Sequence, residues 1–180
     1  SPQQGQQFDL FSAPGSGTVS DQTSSERQNL DSKKHWYQTV DSPVSRELLL
    51  KNVLQQKGVC FDTETTSLDA LQAELVGIAF SWEKSKGYYL VLPEDRTKTL
   101  AILEPFKDFF DHTEIEKIGH NLKYDLKVLK NYDLKVNAPL FDTMIAHYLV
   151  NPDMRHNMDV LAETYLDYSP QSITELIGKK

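Results

Sequence analysis

The amino-acid sequence predicts an α/β (or α+β) domain whose centre is a mixed β-sheet. Apolar runs of strand length come first, at residues 58–61, 73–82 and 87–92. Later stretches with helical spacing alternate with a further short strand at 115–118. Strands that are gathered early and then interleaved with helices are typical of a sheet with both parallel and antiparallel pairs.

Length and composition fit one compact domain, since the chain has 180 residues and a hydrophobic fraction of 39%. The formal charge of −7 argues against a domain that mainly grips nucleic acid by its phosphates. An enzyme acting on one terminal phosphodiester remains compatible, because metal ions supply positive charge locally. The single cysteine, Cys60, is expected to be a buried thiol in a reducing cytosol. No apolar run approaches the ~20 residues of a membrane span.

Residues 1–34 are predicted to be a flexible linker, because Gln, Ser, Gly and Pro dominate and little apolar surface is available for burial. One apolar island, at residues 7–11, interrupts this tail. It resembles the short peptide with which bacterial replication and repair proteins dock on the sliding clamp. Gln7, Leu10 and Phe11 are then the clamp-binding candidates. The alternatives are incidental apolar residues or packing on the domain.

The ordered domain is expected over residues 35–180, and local patterns predict its elements. Ser42-Pro43 starts a helix, because Pro is favoured in the first helical turn. The short connection at residues 83–86 implies an antiparallel hairpin. The apolar stripe of the first helix is expected to be Leu48, Leu49, Val53 and Leu54. In order, we predict a strand at 36–40, a helix after 42, strands at 58–61, 73–82 and 87–92, a helix near 98–111, a strand at 115–118, and helices at 121–131, 142–150 and 158–165.

Two carboxylates follow the strand at 58–61. Asp62 and Glu64 are two residues apart, a spacing that puts both side chains on one face of an extended segment. Two such groups close together are costly as bare charges. A divalent metal removes that cost, because hard cations such as Mg²⁺ prefer oxygen ligands. The alternative is a strand that ends in an acidic turn.

A third carboxylate interrupts an apolar helix face. Leu122, Leu126 and Leu129 form an i, i+4, i+7 stripe, and Asp125 falls within it. A charged residue that faces a core is expected to be paired or metal-bound. Asn121 suits the N-cap of this helix. If the strand at 115–118 runs parallel to the strand at 58–61, Asp125 would face Asp62 and Glu64.

Three segments together resemble a known family. They are Phe-Asp-Thr-Glu-Thr-Thr-Ser-Leu-Asp at residues 61–69, Ile-Gly-His-Asn-Leu-Lys-Tyr-Asp at 118–125 and Phe-Asp-Thr-Met at 141–144. In this order and spacing they resemble the 3′→5′ proofreading exonuclease domain of bacterial DNA polymerase I (family A), across residues 36–180. The resemblance implies an RNase H-like fold of the DEDD exonuclease superfamily and a cytoplasmic bacterial enzyme. It also implies a polymerase domain in the same parent chain, a single-stranded or frayed DNA 3′ end as substrate, and two Mg²⁺ or Mn²⁺ ions.

The same resemblance implies roles for individual residues. Asp62, Glu64 and Asp125 would be metal-binding catalytic carboxylates. Asp142 is expected to be a helix cap rather than a ligand. His120 stands where the family often has another polar residue. Arg155 matches a segment of the family, and the alternative is that it is an ordinary surface arginine. The implied DNA contacts are Thr65, Leu68, His120, Asn121, Tyr124 and Arg155.

One motif of the family does not occur at the expected place. The family has a downstream Tyr-x-x-x-Asp, whereas the only such spacing here, Tyr37 to Asp41, precedes the first motif. We therefore expect a fragment that stops before this motif, lacks the fourth carboxylate and has little or no activity on its own. Two alternatives stay open: an RNase D-like exoribonuclease, and a non-catalytic structural or docking module of a polymerase.

Overall fold

A six-stranded mixed sheet forms the centre of the domain in a computed structural model, which describes residues 27–171. The strands are β1 (Trp36–Val40), β2 (Gly58–Thr65), β3 (Leu75–Ser81), β4 (Lys86–Val91), β5 (Glu116–Gly119) and β6 (Leu140–Asp142). The helices are α1 (Pro43–Val53), α2 (Arg96–Leu103), α3 (Lys107–Phe110), α4 (Leu122–Lys130), α5 (Thr143–Val150) and α6 (Met158–Leu166). The spatial order is β1-β4-β3-β2-β5-β6, so β2 is an interior strand.

The pairing confirms the predicted mixed sheet. β2 pairs antiparallel with β3 and parallel with β5, and β3 and β4 form the predicted antiparallel hairpin. β6 adds a parallel edge next to β5. The strand β6 was not predicted, because three residues are too few to show a strand periodicity.

Two helical predictions need correction. The helix expected near 98–111 is interrupted by a 3₁₀ turn at Glu104–Phe106, which contains Pro105. Proline lacks the N–H that a continuous helix would use. The helix α1 begins at Pro43, as predicted, and Ser42 caps it; Leu49 and Val53 are buried but Leu48 is 53% exposed. The apolar stripe of α1 is therefore narrower than predicted.

The two faces of β2 differ in what they contact. Val59, Phe61 and Thr63 are buried, whereas Cys60, Asp62 and Glu64 are exposed. The expectation of a buried thiol at Cys60 is therefore wrong, because strand alternation puts this residue on the face of the carboxylates. On the buried face, aromatic rings pack with centroids 5.0 to 6.3 Å apart; they belong to Phe61, Phe80, Phe106, Phe109 and Phe110.

Part of the predicted linker contacts the domain. The Gln28 N–H donates to the Asp167 carbonyl at 3.0 Å, and Ser169 donates back to Gln28 at 2.8 Å. Arg27 pairs with Glu163 at 2.9 Å. Residues 1–26, with the apolar island at 7–11, lie outside the described residues, as do residues 172–180. Of the helices that the structure describes, none combines the length and apolar character of a membrane span.

Candidate active site

Asp62 and Glu64 open onto a cleft at the end of β2. Both side chains are exposed on one face of the strand, as their spacing predicts. The pairing with β3 becomes irregular between Glu64 and Thr65, so the chain leaves the sheet directly after the two acids. The cleft has a volume of about 410 Å³. It is lined by residues 62–68 and by His120, Asn121, Tyr124 and Asp125.

Asp125 reaches the cleft from the opposite side of the sheet. Its side chain is 2% exposed, and α4 packs on the buried face of β2. The backbone N–H and the hydroxyl of Thr63 both donate to Oδ1 of Asp125, at 3.0 and 2.6 Å. We expected this carboxylate to be paired or metal-bound; the structure gives it two hydrogen bonds from Thr63, and metal binding stays a prediction. Both bonds end on Oδ1, so Oδ2 of Asp125 takes no part in them.

The charges of Asp125 and Glu64 act on Asp62. The pKa of Asp62 rises from its ordinary value of 3.8 to about 6, because of partial burial and the charges of Asp125 and Glu64. Burial also raises the pKa of Asp125, while the two bonds from Thr63 act in the opposite direction. A like charge nearby disfavours ionisation of a carboxylate. Within residues 27–171 no basic side chain forms an ion pair with these acids, so the described cleft holds uncompensated negative charge.

This donor set suits a hard divalent cation. Carboxylate oxygens are the ligands that Mg²⁺ and Mn²⁺ prefer, and a cation would reverse the rise in the pKa of Asp62. Within residues 27–171, however, no three acidic, cysteine or histidine side chains already surround one point as ligands of a single ion. The structure brings the three acids to one cleft, and their convergence on a metal cluster stays a prediction.

The start of α4 is held by Asp142, not by Asn121. Asn121 is the N-cap residue by position, as predicted, but it has a left-handed backbone (φ 64°, ψ 44°) and its side chain makes no cap bond. Asp142 instead accepts from the backbone N–H of Asn121 at 3.1 Å and of Leu122 at 2.9 Å. It also caps its own helix, α5, as predicted, by accepting from Met144 at 2.9 Å. One carboxylate thus anchors the starts of two helices, and α4 carries Asp125.

Hydrogen bonds fix the loop that borders the cleft. The Tyr124 hydroxyl donates to the Ser67 carbonyl at 2.5 Å and lies 2.5 Å from the Thr65 hydroxyl. This loop carries Leu68, which is 98% exposed. The Nδ1 atom of His120 lies 2.9 Å from the Thr143 hydroxyl.

The predicted DNA contacts fall into two groups. Thr65, Leu68, His120, Asn121 and Tyr124 line the cleft together with the three acids. Arg155 is exposed in the loop between α5 and α6 and is not among the residues of the cleft wall. Whether any of them touches DNA stays a prediction.

Three contributors escaped the sequence analysis. Thr63 holds Asp125, and strand alternation, which turns its hydroxyl toward the helix side, could have indicated it. The second cap made by Asp142 depends on a contact across 20 residues of sequence and left no local signal. Tyr89 of β4 lies near Glu64, whose charge, after burial, raises the pKa of Tyr89.

A family model described as a 3′–5′ exonuclease matches residues 37–180. The chain belongs to this exonuclease family. DNA polymerase I of Borreliella burgdorferi is 32% identical to this exonuclease domain over 154 residues, which are 83% of the chain and 17% of that polymerase. DNA polymerase I of Pseudomonas aeruginosa is 31% identical over 153 residues, 79% of the chain and 17% of the polymerase. The chain thus spans less than a fifth of the length of these relatives.

Solved structures share the fold of this exonuclease domain. NrnC of Brucella melitensis with bound Mg²⁺ has a TM-score of 0.63 at 23% identity, covering 77% of this chain and 65% of that one. RNase D of Trypanosoma brucei in complex with RNA U12 has a TM-score of 0.67 at 13% identity, covering 80% and 51%. The predicted RNase H-like exonuclease fold is confirmed.

Proposed function

We propose that this domain removes nucleotides from the 3′ end of single-stranded or frayed DNA, as the proofreading exonuclease of a bacterial, cytoplasmic DNA polymerase I. The observation that carries the proposal is the cleft that Asp62, Glu64 and Asp125 line together, in which burial and the charges of the other two acids raise the pKa of Asp62. An uncompensated group of carboxylates beside an open groove is what metal-dependent phosphodiester hydrolysis requires.

The three carboxylates would hold Mg²⁺ or Mn²⁺, two ions in the complete site. Bound ions would acidify a water molecule and stabilise the departing 3′-oxygen. Thr63 keeps Asp125 oriented through two hydrogen bonds to Oδ1, so Oδ2, which takes no part in them, can serve as a ligand atom. Asp62 and Glu64 present their oxygens from the neighbouring strand face.

The cleft wall would hold the end of a strand and not a duplex. Leu68 offers an exposed apolar side chain against which a base can pack, and Tyr124 and Thr65 keep its loop in place. Asn121 and His120 supply polar groups on the opposite wall. Arg155 would contact the strand beyond the cleft.

Similarity favours DNA over RNA as the substrate. The relatives that are 31–32% identical are DNA polymerases, whereas the RNase D structures are 13–20% identical. An RNase D-like exoribonuclease and a non-catalytic polymerase module are the competing functions. The retention of all three acids argues against the second.

Metal titration tests the proposal. Calorimetry with Mn²⁺ should show binding that Asp62→Ala abolishes and Glu47→Ala, an exposed acid on α1, leaves unchanged. Absence of binding, or equal binding by both variants, would refute it. A labelled DNA strand and the matching RNA strand then separate the two nuclease functions by which 3′ end is shortened.

We further propose that the 180 residues alone cleave weakly, because the described cleft has three acids where the resemblance implies four. Robust Mg²⁺-dependent release of mononucleotides by this chain would contradict that. The polymerase domain of a longer parent chain and the sliding clamp are the proposed partners. Calorimetry of a peptide covering residues 7–11 against a sliding clamp tests the second, and the absence of heat would end it.

A further inference from the structure

Tyr89 lies across a glycine that neighbours Glu64. Gly77 of β3 pairs directly with Glu64 of β2, and Tyr89 of β4 pairs with Ala79, two residues along the same face. A Cβ atom built on Gly77 would lie 2.3 Å from both Cζ and the hydroxyl oxygen of Tyr89. The phenol end of Tyr89 therefore occupies the space that any side chain at position 77 would fill.

This arrangement brings the Tyr89 hydroxyl beside Glu64. Directly opposed residues on one face of an antiparallel pair have Cβ atoms about 4.5–5.5 Å apart. The hydroxyl sits at that position of β3, so it lies next to the Glu64 side chain. Glu64 is exposed on this face and has a long, flexible side chain. A hydrogen-bond donor beside it would therefore restrict its rotamers.

The hydroxyl is also available as a donor. Tyr124, Tyr132 and Tyr165 each have a hydrogen-bonded hydroxyl. No such bond from Tyr89 occurs within residues 27–171. A tyrosine hydroxyl can donate to a carboxylate, and Glu64 is the acid that pairs with Gly77, the residue whose side-chain space the Tyr89 hydroxyl occupies.

We propose that Tyr89 is a positioning residue for Glu64. In this proposed role its hydroxyl, which makes no hydrogen bond within residues 27–171, would donate to the Glu64 carboxylate once that side chain turns toward the cleft, and Gly77 would provide the room for the ring. The inference rests on the proposed metal-dependent function of the cleft and names a residue outside the segments that carry the family resemblance. It predicts that the phenol oxygen matters and that the ring alone is not sufficient.

Two variants and one control test this in the full chain. Tyr89→Phe keeps the ring and removes the donor, while Gly77→Ala displaces the ring. Tyr88→Phe is the matched control, since Tyr88 points to the opposite face and stacks on Trp82. We expect Tyr89→Phe to weaken Mn²⁺ binding about tenfold, as loss of a group that orients a ligand does. The thermal midpoint and the Tyr88→Phe affinity should stay unchanged.

A double variant assigns the effect to Glu64. In a Glu64→Gln background the added Tyr89→Phe change should have no further effect on Mn²⁺ affinity. Wild-type affinity in Tyr89→Phe, or an equal loss in both backgrounds, would overturn the inference while leaving the proposed function intact. Failure of the wild-type chain to bind Mn²⁺ would instead refute the proposed function.

A measurement without metal keeps the two failures separate. The ¹³Cζ resonance of Tyr89, assigned by its loss in Tyr89→Phe, should move when Glu64 becomes Gln. An unmoved resonance would show that the hydroxyl does not contact Glu64 and would overturn the inference, whatever the metal titration gives.

Discussion

Asp142 should be the most sensitive helix cap in the domain. Its Oδ1 accepts from the backbone N–H groups of Asn121, Met144 and Ile145, and its Oδ2 accepts from Leu122. Asp142→Ala removes all of these acceptors at once. Asp142→Asn keeps one oxygen in the Oδ1 position but turns an N–H toward Leu122 and removes the negative charge.

The size of each effect follows from these bonds. Loss of one N-cap costs about 1 kcal/mol, and Asp142→Ala removes the caps of both α4 and α5, so we expect a loss of about 2–3 kcal/mol. Asp142→Asn should cost about 1 kcal/mol, because the bonds to Oδ1 can remain and the helix dipoles lose a charge. Asp95, which caps α2 alone, is the matched control, and Asp95→Ala should cost about 1 kcal/mol.

Urea unfolding of the three variants measures these differences. The urea midpoint should be highest for the wild type, lower for Asp142→Asn and Asp95→Ala, and lowest for Asp142→Ala. The dependence of the unfolding free energy on urea concentration should stay unchanged. Mn²⁺ affinity should fall only in the Asp142 variants, because α4 carries Asp125 and α2 does not line the cleft. If Asp142→Ala proves no more costly than Asp95→Ala, the double cap does not act as described.

Three further predictions follow from the site. The pKa of Asp62 is about 6 when folded against an ordinary 3.8, so the native state binds the extra proton and metal-free stability should fall as pH rises between these values. Because Asp62 is exposed, this change in the free energy of unfolding should be limited to about 1 kcal/mol. The variant Asp62→Asn should flatten the slope of the urea midpoint against pH, and an unchanged slope would contradict the prediction. Thr63→Val removes the hydroxyl that donates to Asp125, so it should lower the free energy of unfolding by about 1–2 kcal/mol and raise the pKa of Asp125 further. Thr63→Ser keeps the hydroxyl and should restore both. Urea midpoints measure the stability, and ¹³C titration measures the pKa. His147→Phe should cost about 1–3 kcal/mol, because the ring nitrogen of His156, 2.7 Å away, loses its partner; an unshifted urea midpoint would refute it.

Local sequence patterns predicted most of the architecture. Alternation in β2 predicted that Asp62 and Glu64 share a face, and the interrupted apolar stripe predicted that Asp125 is paired or metal-bound. The short hairpin connection predicted the antiparallel pairing of β3 and β4. Each of these follows from spacing within one element, where backbone geometry determines which side chains neighbour one another.

Two of the misses involve contacts between distant parts of the chain. Asn121 has the residue type of a cap, yet Asp142 supplies the oxygens, because β6 ends beside the start of α4. Cys60 has the character of a core residue, yet its exposure depends on what packs against that face of β2. For Asn121 and Cys60 alike, the neighbours in the folded sheet, and not the residue type, decided what the side chain does.

The division of the cleft between a strand and a helix has a consequence for its dynamics. Asp62 and Glu64 belong to an interior strand and pair there with β3, whereas Asp125 and Tyr124 belong to a helix of nine residues. A helix this short is not stable in isolation. Local opening of α4 would therefore withdraw Asp125 while the sheet stays folded, so amide exchange in α4 reports the fraction of molecules with an assembled site.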